Sequence, residues 1–417
     1  MSNISTRLPE DDTTWLCLEG YFSERAFPGR CWIGIRDGVI CAIQTQEPES
    51  DTRIKLPEGS CAIPLLSDTH VHYYMEPWPI ASKDRVKPGS KPFESEVQDA
   101  LQRIDDALRC GMGYLRDMGD PHGINLEVRR RVKQIDRPAP ELVVPGPAIH
   151  RPKKYGRYLG VVKDTIDDIK QFIDELVDDS DADYIKLVAT GIVNFEEKVV
   201  RQTPQYTVEE LTDVVEHAHA RGKKVAAHCS GTDGLDICID AGVDYIEHAY
   251  FITEPQIARL VDKGLVWTPT FAPVYTQGAF DECGWPKKTR ETIDEILDEH
   301  AASVAIGREA GAKLMAGTDA GCPGVDMAKG IRCELKSLAA AGLNPSDLLR
   351  LATVNNAELC GAKTYTGLIE VGGPASFGIY SRSPWEDIEA LDDLVAVFHQ
   401  GKRFEPLPTE SCEISAS

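Results

Sequence analysis

At 417 residues, with 42% hydrophobic and 27% charged side chains and no long biased tract, the chain can bury one large core and a smaller one. Asp+Glu 67 against Lys+Arg 45 leaves a net charge of −22. So acidic a surface repels phosphate backbones and anionic lipid, which argues against nucleic-acid and membrane partners.

The opening stretch, MSNISTRLPEDDTTW, has neither a basic region nor an apolar one, so no secretory signal is expected. No apolar run approaches the ~18–20 residues that span a bilayer. The 12 cysteines are scattered without a C-x-x-C pair and are expected to be reduced, mostly buried thiols of a cytoplasmic protein. From about Thr14 to Pro64 the segments WLCLEGYF, CWIGIRDG and VICAIQTQ read as short strands. Asp37-Gly38 supplies the positive φ angles of a tight hairpin turn.

From Ala62 the rhythm becomes strand, loop, helix. Candidate strands are AIPLLS (62–67), GYLRDM (113–118), ELVVPG (141–146), DYIKLVA (183–189), KVAAHC (224–229), DYIEHA (244–249), VWTPTF (266–271) and KLMAGT (313–318). Most are near-continuous apolar runs, as parallel strands covered on both faces should be. Thr207 and Glu210 form a capping box, Leu211, Val214, Val215 and Ala218 share one helix face, and Gly222 ends that helix. Asn344-Pro345-Ser-Asp347 opens another. These units predict an α/β fold, a (β/α)₈ TIM-type barrel over residues 62–363. Strand-like segments return in TGLIEVGG, SFGIYS and LVAVFHQG, so residues 1–61 and 364–417 are expected to join as a small flanking β-sandwich domain.

In such a barrel the C-terminal strand ends line the active site. The first strand runs into His70-Val-His72, where alternation puts both imidazoles on one side. Lys186 sits inside an apolar run, His228 and His248 end the next two strands, and Asp319 follows the last. Singly, each has a plainer reading: a surface H-x-H, a lysine whose head reaches water, hydrogen-bonded core histidines, a helix-capping aspartate. Together, in this order, they can hold two metal ions. Lys186 would join as a carbamate formed with CO₂, an anion able to bridge two cations. His217, His219 and His300 fall in helical or polar stretches and are expected to be structural or exposed.

The chain resembles the amidohydrolase superfamily of the binuclear type with a carboxylated lysine. The resemblance is carried by DTHVH (68–72), GMGYLRDMG (111–119), DYIKLVATG (183–191), GKKVAAHCSG (222–231), DYIEHAY (244–250), AGTDAG (316–321) and ATVNNAELCG (352–361) followed by TGLIEVGG. It covers the chain from about Thr14 to Phe404, and its finer likeness is to prolidase-like and arginine-carboxypeptidase-like dipeptidases and ochratoxin-type amidases. Three positions depart from the pattern: Leu65 for a glycine, Ser230 where relatives often carry a second histidine, and Ala375-Ser376 for Ala-Asp.

The resemblance implies that His70, His72 and Asp319 bind one divalent ion and His228 and His248 the second, with N6-carboxylated Lys186 and a hydroxide bridging them. Two such ions lower the pKa of a shared water from ~15.7 toward ~7. The expected reaction is hydrolysis of an amide, peptide-like or N-acyl amino acid, with Asp319 as the catalytic residue that moves the proton. Zinc is the first choice of metal, with manganese or iron as alternatives. The basic loop His150–Arg157 suggests that His150 and Arg151 bind a substrate carboxylate, with Tyr73 from the long first loop nearby, and Trp267, Tyr275 and Trp285 could frame an apolar pocket. A homo-oligomer acting on a small molecule is expected. A lactonase or cyclic-amide hydrolase would share every ligand. A mononuclear deaminase would lack Lys186, and a non-catalytic binding protein would have lost ligands.

Overall fold

The computed structural model describes residues 13–49, 52–81, 84–85, 89–134 and 138–407; most of the stretch read for a signal lies outside the described residues. Strands come first: β1 (Thr14–Phe22), β2 (Ala26–Arg36), β3 (Val39–Gln44), β4 (Arg53–Ile54) and β5 (Cys61–Pro64). Burial along β1 alternates residue by residue, the mark of a strand with one face on a core. Between β2 and β3, Asp37 (φ 51°) and Gly38 (φ 78°) make the expected tight turn.

Strand and helix then alternate. In order they are β6 (Leu66–Val71), α1 (Phe93–Arg109), β7 (Met112–Asp117), α2 (Ile124–Gln134), β8 (Glu141–Val143), β9 (Ala148–His150), β10 (Gly160–Val162) and α3 (Ile166–Asp179). After them come β11 (Ile185–Val188), a hairpin of β12 (Val193–Asn194) and β13 (Val199–Val200), α4 (Val208–Ala220), β14 (Val225–Cys229), α5 (Thr232–Ala241), β15 (Tyr245–His248) and α6 (Glu254–Asp262). The series ends with β16 (Val266–Thr268), α7 (Ala272–Ala279), α8 (Lys287–Glu309), β17 (Lys313–Leu314), α9 (Gly330–Ala340), α10 (Pro345–Arg350) and α11 (Asn356–Cys360). Three strands close the chain: β18 (Phe377–Tyr380), β19 (Leu394–His399) and β20 (Lys402–Phe404).

The result is a mixed α/β fold. Both ends of the chain meet in one sheet ordered β20-β19-β18-β5-β1-β2-β3, with β4 paired to β1. Apart from the antiparallel β12–β13 hairpin, the remaining strands pair in parallel, β6-β7-β8 in one set and β10-β9-β11-β14-β15-β16-β17 in another. Every residue of β11, β14 and β15 is buried, so these strands show no alternation. Backbone hydrogen bonds also join the two sets. Asp183 N donates to Val144 O (2.8 Å) beside β8, and Thr69 N donates to Ala316 O (3.1 Å) where β6 meets the chain after β17. Asp319 N to His70 O (2.7 Å) and His72 N to Ala320 O (2.8 Å) continue that contact.

Helices pack on these strands through regular apolar faces. In α1 the buried Val97, Ala100, Leu101, Ile104 and Leu108 recur at helical spacing. The capping box of α4 forms as expected, with Glu210 N donating to Thr207 Oγ1 (3.2 Å) and Thr207 N to Glu210 Oε2 (3.0 Å). Among the described residues no helix is long and apolar enough to cross a membrane, and the eleven described cysteines are free.

Three expected segments differ. AIPLLS is divided: Cys61–Pro64 pairs with β18 in the terminal sheet, and the parallel strand starts only at Leu66. TGLIEVGG forms no strand. Its glycines instead bond the edge of β3, with Gly372 N to Ile40 O (2.8 Å) and Ile40 N to Gly373 O (2.9 Å). In KLMAGT only Lys313–Leu314 is strand. Beyond it a side chain takes over the ladder: Asn356 accepts from Ala316 N (3.0 Å) and donates to Ala316 O (2.9 Å) and Ser67 Oγ (2.9 Å).

Candidate active site

His70, in β6, and His72, one residue past it, reach the same cavity, as period-2 alternation requires. Asp68, fully buried on that strand, is a clamp: it accepts from Thr318 N (3.0 Å), Thr318 Oγ1 (2.6 Å) and His70 N (3.1 Å). The clamp brings Asp319 to the histidines, with its Oδ1 3.4 Å from His70 Nε2 and 3.2 Å from His72 Nε2. Gly317 permits this approach, since a Cβ there would lie 2.6 Å from Thr268 Cγ2 and 2.8 Å from His70 Cβ. Asp319 (φ 57°) and His248 (φ 74°) both adopt the left-handed backbone region, which is costly for residues with a Cβ. Such strain gathers where surrounding structure holds a functional geometry.

His228 and His248 close the far side, with ring centroids 4.5 Å apart, and His248 lies 4.9 Å from His70. One donor atom each of His70, His248 and Asp319 falls within 4.8 Å of the others, a spacing that could hold a metal ion. All six side chains expected at the metal centre, Lys186 included, line one cavity of about 350 Å³.

Each imidazole has one nitrogen committed to the protein. His70 Nδ1 donates to Glu247 Oε2 (2.8 Å), His72 Nδ1 to Gly119 O (3.3 Å) and His228 Nε2 to Gly191 O (3.2 Å). His248 Nδ1 meets Thr270 Oγ1 (2.6 Å), whose own proton goes to Pro269 O (2.7 Å), so the imidazole must donate there too. Against burial, the Asp319 and Glu247 carboxylates raise His70 above its ordinary value, and each of the four rings is anchored through one nitrogen, which leaves the other for a ligand. This is how proteins orient histidines that ligate metal. Burial, and then the Lys186 ammonium, hold His228 down at about 3, so it stays neutral at ordinary pH.

Glu247 is fully buried and pairs with Arg116 (3.1 Å), whose guanidinium lies between the rings of Tyr184 (4.2 Å) and Tyr245 (4.3 Å). Burial pushes its carboxyl up, but His70 and Arg116 outweigh that and keep it well below the usual carboxylate range. Lys186 contrasts with it. Its Nζ is buried and has no hydrogen-bond partner among the described residues, and burial brings its pKa down to about 8 against the opposing Glu247 carboxylate.

The residues expected to bind substrate lie elsewhere. Tyr73 is fully buried and donates to Leu115 O (2.7 Å), so it supports strand packing. His150 ends β9 and donates to Arg151 O (3.1 Å), and Arg151 pairs with Glu210 (3.4 Å) over the Tyr206 ring. None of the three lines the cavity; from the loop at 150–157 it is Tyr155 that does, its ring 5.2 Å from His228. Trp267 is a core residue donating to His248 O (2.9 Å), and Tyr275 is off the cavity, whereas Trp285 lines it against Phe195. His217 and His219 pair with Asp174 and Asp244, and His300 is packed on Tyr250. Glu247 was missed. A carboxylate inside the buried run before His248 was a signal that some cation pairs with it.

Relatives share this framework. An uncharacterized protein of Mycobacterium tuberculosis is 26% identical over 265 residues, 63% of this chain and 65% of that protein, so the match spans somewhat less than two thirds of the relative's length. The ochratoxinase of Aspergillus niger is 26% identical over 199 residues, 48% of this chain and 41% of that one. Its crystal structure superposes with a TM-score of 0.77 at 20% identity, covering 95% of this chain and 96% of that one. A Xaa-Pro dipeptidase crystallised with methionine in its active site gives 0.79 at 23% identity, covering 94% of this chain and all of that one, a likeness of fold. The amidohydrolase family model matches residues 62–403, a span that begins just ahead of His70 and contains every residue of the cavity described above; the chain belongs to the amidohydrolase family.

Proposed function

We propose that the protein is a metal-dependent hydrolase that cleaves an amide bond, peptide-like or N-acyl amino acid, with a pair of divalent ions held at the cavity floor. The observation that carries the reading is the set of four anchored imidazoles around an orphaned lysine amine. A buried ammonium without an acceptor is costly. Addition of the neutral amine to CO₂, with loss of one proton, makes it an anion suited to sit between cations. His70, His72 and Asp319 would hold one ion, His228 and His248 the other, with carboxylated Lys186 shared. Imidazole and carboxylate donors suit zinc. Bound there, such ions supply a water acidic enough to act as a nucleophile near neutral pH and polarise a carbonyl.

The chain's own residues do the rest. Glu247 holds His70 in the tautomer whose Nε2 faces Asp319. Asp319 would take a proton from the nucleophile and return it to the leaving nitrogen. In the same reading the parallel strands close into a (β/α)₈ barrel within residues 62–363. The hydrogen bonds from β6 to the segment after β17 and from Asp183 to Val144 support that. Residues 1–61 and 364–417 would form the flanking β-sandwich.

Metal-loaded protein incubated with N-acyl amino acids, dipeptides and lactones tests the reading. Release of free amine from the amides, abolished by a chelator and restored by zinc, is the expected result. Cleavage of lactones alone, or none at all, would overturn it.

A further inference from the structure

The four imidazoles of the cavity are anchored unequally. His72 and His228 bond backbone carbonyls, of Gly119 (3.3 Å) and Gly191 (3.2 Å), and His248 meets the Thr270 hydroxyl (2.6 Å). Of the four, only His70 rests on a carboxylate through its Nδ1, with Glu247 Oε2 at 2.8 Å. Glu247 and His248 are neighbours on β15, and in a regular strand their side chains would point to opposite faces. The left-handed backbone at His248 (φ 74°) and Ala249 (φ 57°) ends that alternation. Glu247 therefore reaches His70, while His248 lines the cavity with its ring 4.9 Å from that of His70.

Glu247 is in turn held by Arg116 on β7, which does not line the cavity. Arg116 Nη1 donates to Glu247 Oε1 (3.1 Å) and to Thr69 O (3.4 Å), one residue before His70. The two rings that enclose its guanidinium are themselves fixed. The Tyr184 hydroxyl donates to Asp117 O, and that of Tyr245 donates to Leu359 O (2.9 Å) and accepts from Lys224 Nζ (3.0 Å). Nη2 has no hydrogen-bond partner among the described residues. A guanidinium withdrawn from water with one nitrogen unused destabilises a fold, and an apolar side chain of similar size would pack as well or better. Packing alone does not account for a charge at this place.

Resting on the two-ion reading, we propose that Arg116 is a positioning residue for one ion alone. It fixes the Glu247 carboxylate and, through it, the His70 ring. The ion on His70, His72 and Asp319 is thereby held more tightly than the one on His228 and His248. A histidine backed by a carboxylate is held in orientation and made a stronger donor, whereas His228 and His248 have only neutral oxygens behind them.

The experiment titrates metal-free wild type, Arg116→Met, Arg116→Lys and Glu247→Gln with cobalt(II), whose visible absorption reports the ligands around each ion. Elemental analysis after dialysis counts the ions bound. Wild type should fill in two steps, and in His228→Ala, which lacks a donor of the second ion, the tighter step should survive. Arg116→Met should weaken the tighter step about 10- to 100-fold and leave the other unchanged. Arg116→Lys should restore part of the loss. Arg116→Met combined with Glu247→Gln should lose about as much as Glu247→Gln alone, because both act through one link. Glu247→Gln keeps the side chain's volume and reads that link on its own if Arg116→Met does not fold. Equal weakening of both steps, as a purely structural role would give, overturns the proposal. Wild type that takes up fewer than two ions refutes the two-ion reading itself, whereas two ions bound alike in wild type and Arg116→Met refute this proposal only.

Discussion

The two ends of the parallel strands treat their polar groups oppositely. At the strand starts, beside a second cavity of about 380 Å³, the charges are neutralised. Asp183 pairs with Arg129 and accepts from Val144 N (3.0 Å), and Glu141 accepts from the backbone amides of Lys363, Thr364 and Tyr365 (2.7 Å each). At the strand ends the arrangement is unfinished. Four imidazoles are each anchored through one nitrogen, two of them with the other facing Asp319, and Lys186 Nζ has no partner among the described residues. Satisfied polar groups hold a fold together, whereas a site meant to receive cations leaves its donors open.

The contrast can be broken from either end. The largest effect is expected from Asp319→Asn, which keeps the side chain's shape but cannot take a proton. Turnover should fall by about three orders of magnitude, with metal content retained, as steady-state kinetics and elemental analysis would read. Lys186→Met should also abolish turnover, yet leave the metal-free protein as stable as wild type or more so, since it removes an unpaired buried ammonium. A large loss of stability in urea would mean that the lysine is structural.

Glu247→Gln should weaken metal binding or activity about 10- to 100-fold, because the partner of a ligating histidine sets its orientation. Some stability should go as well, since Arg116 keeps only a neutral partner. The smallest effect on chemistry belongs to Asp183→Asn at the strand starts. Stability should drop by about 2–3 kcal/mol from the half-broken pair with Arg129, while kcat stays at the wild-type level.

The strand ends were legible in the sequence because periodicity fixes where side chains point. Each expected parallel strand has a counterpart, and the six ligand-type residues converge. Where short-range pattern stops, the reading stops. AIPLLS is one apolar run, but its first half is claimed by β18, a partner more than 300 residues away, and only that long-range pairing divides it. The basic loop at 150–157 looked like a carboxylate site by composition. In the structure Arg151 is engaged by Glu210 and Lys154 by Thr203.

The central claim is that the open donors at the strand ends hold cations. Elemental analysis of zinc-loaded, exhaustively dialysed protein tests it most directly. The account expects close to two ions per chain, falling in Lys186→Met. Retention of no metal by a folded wild-type protein would contradict it.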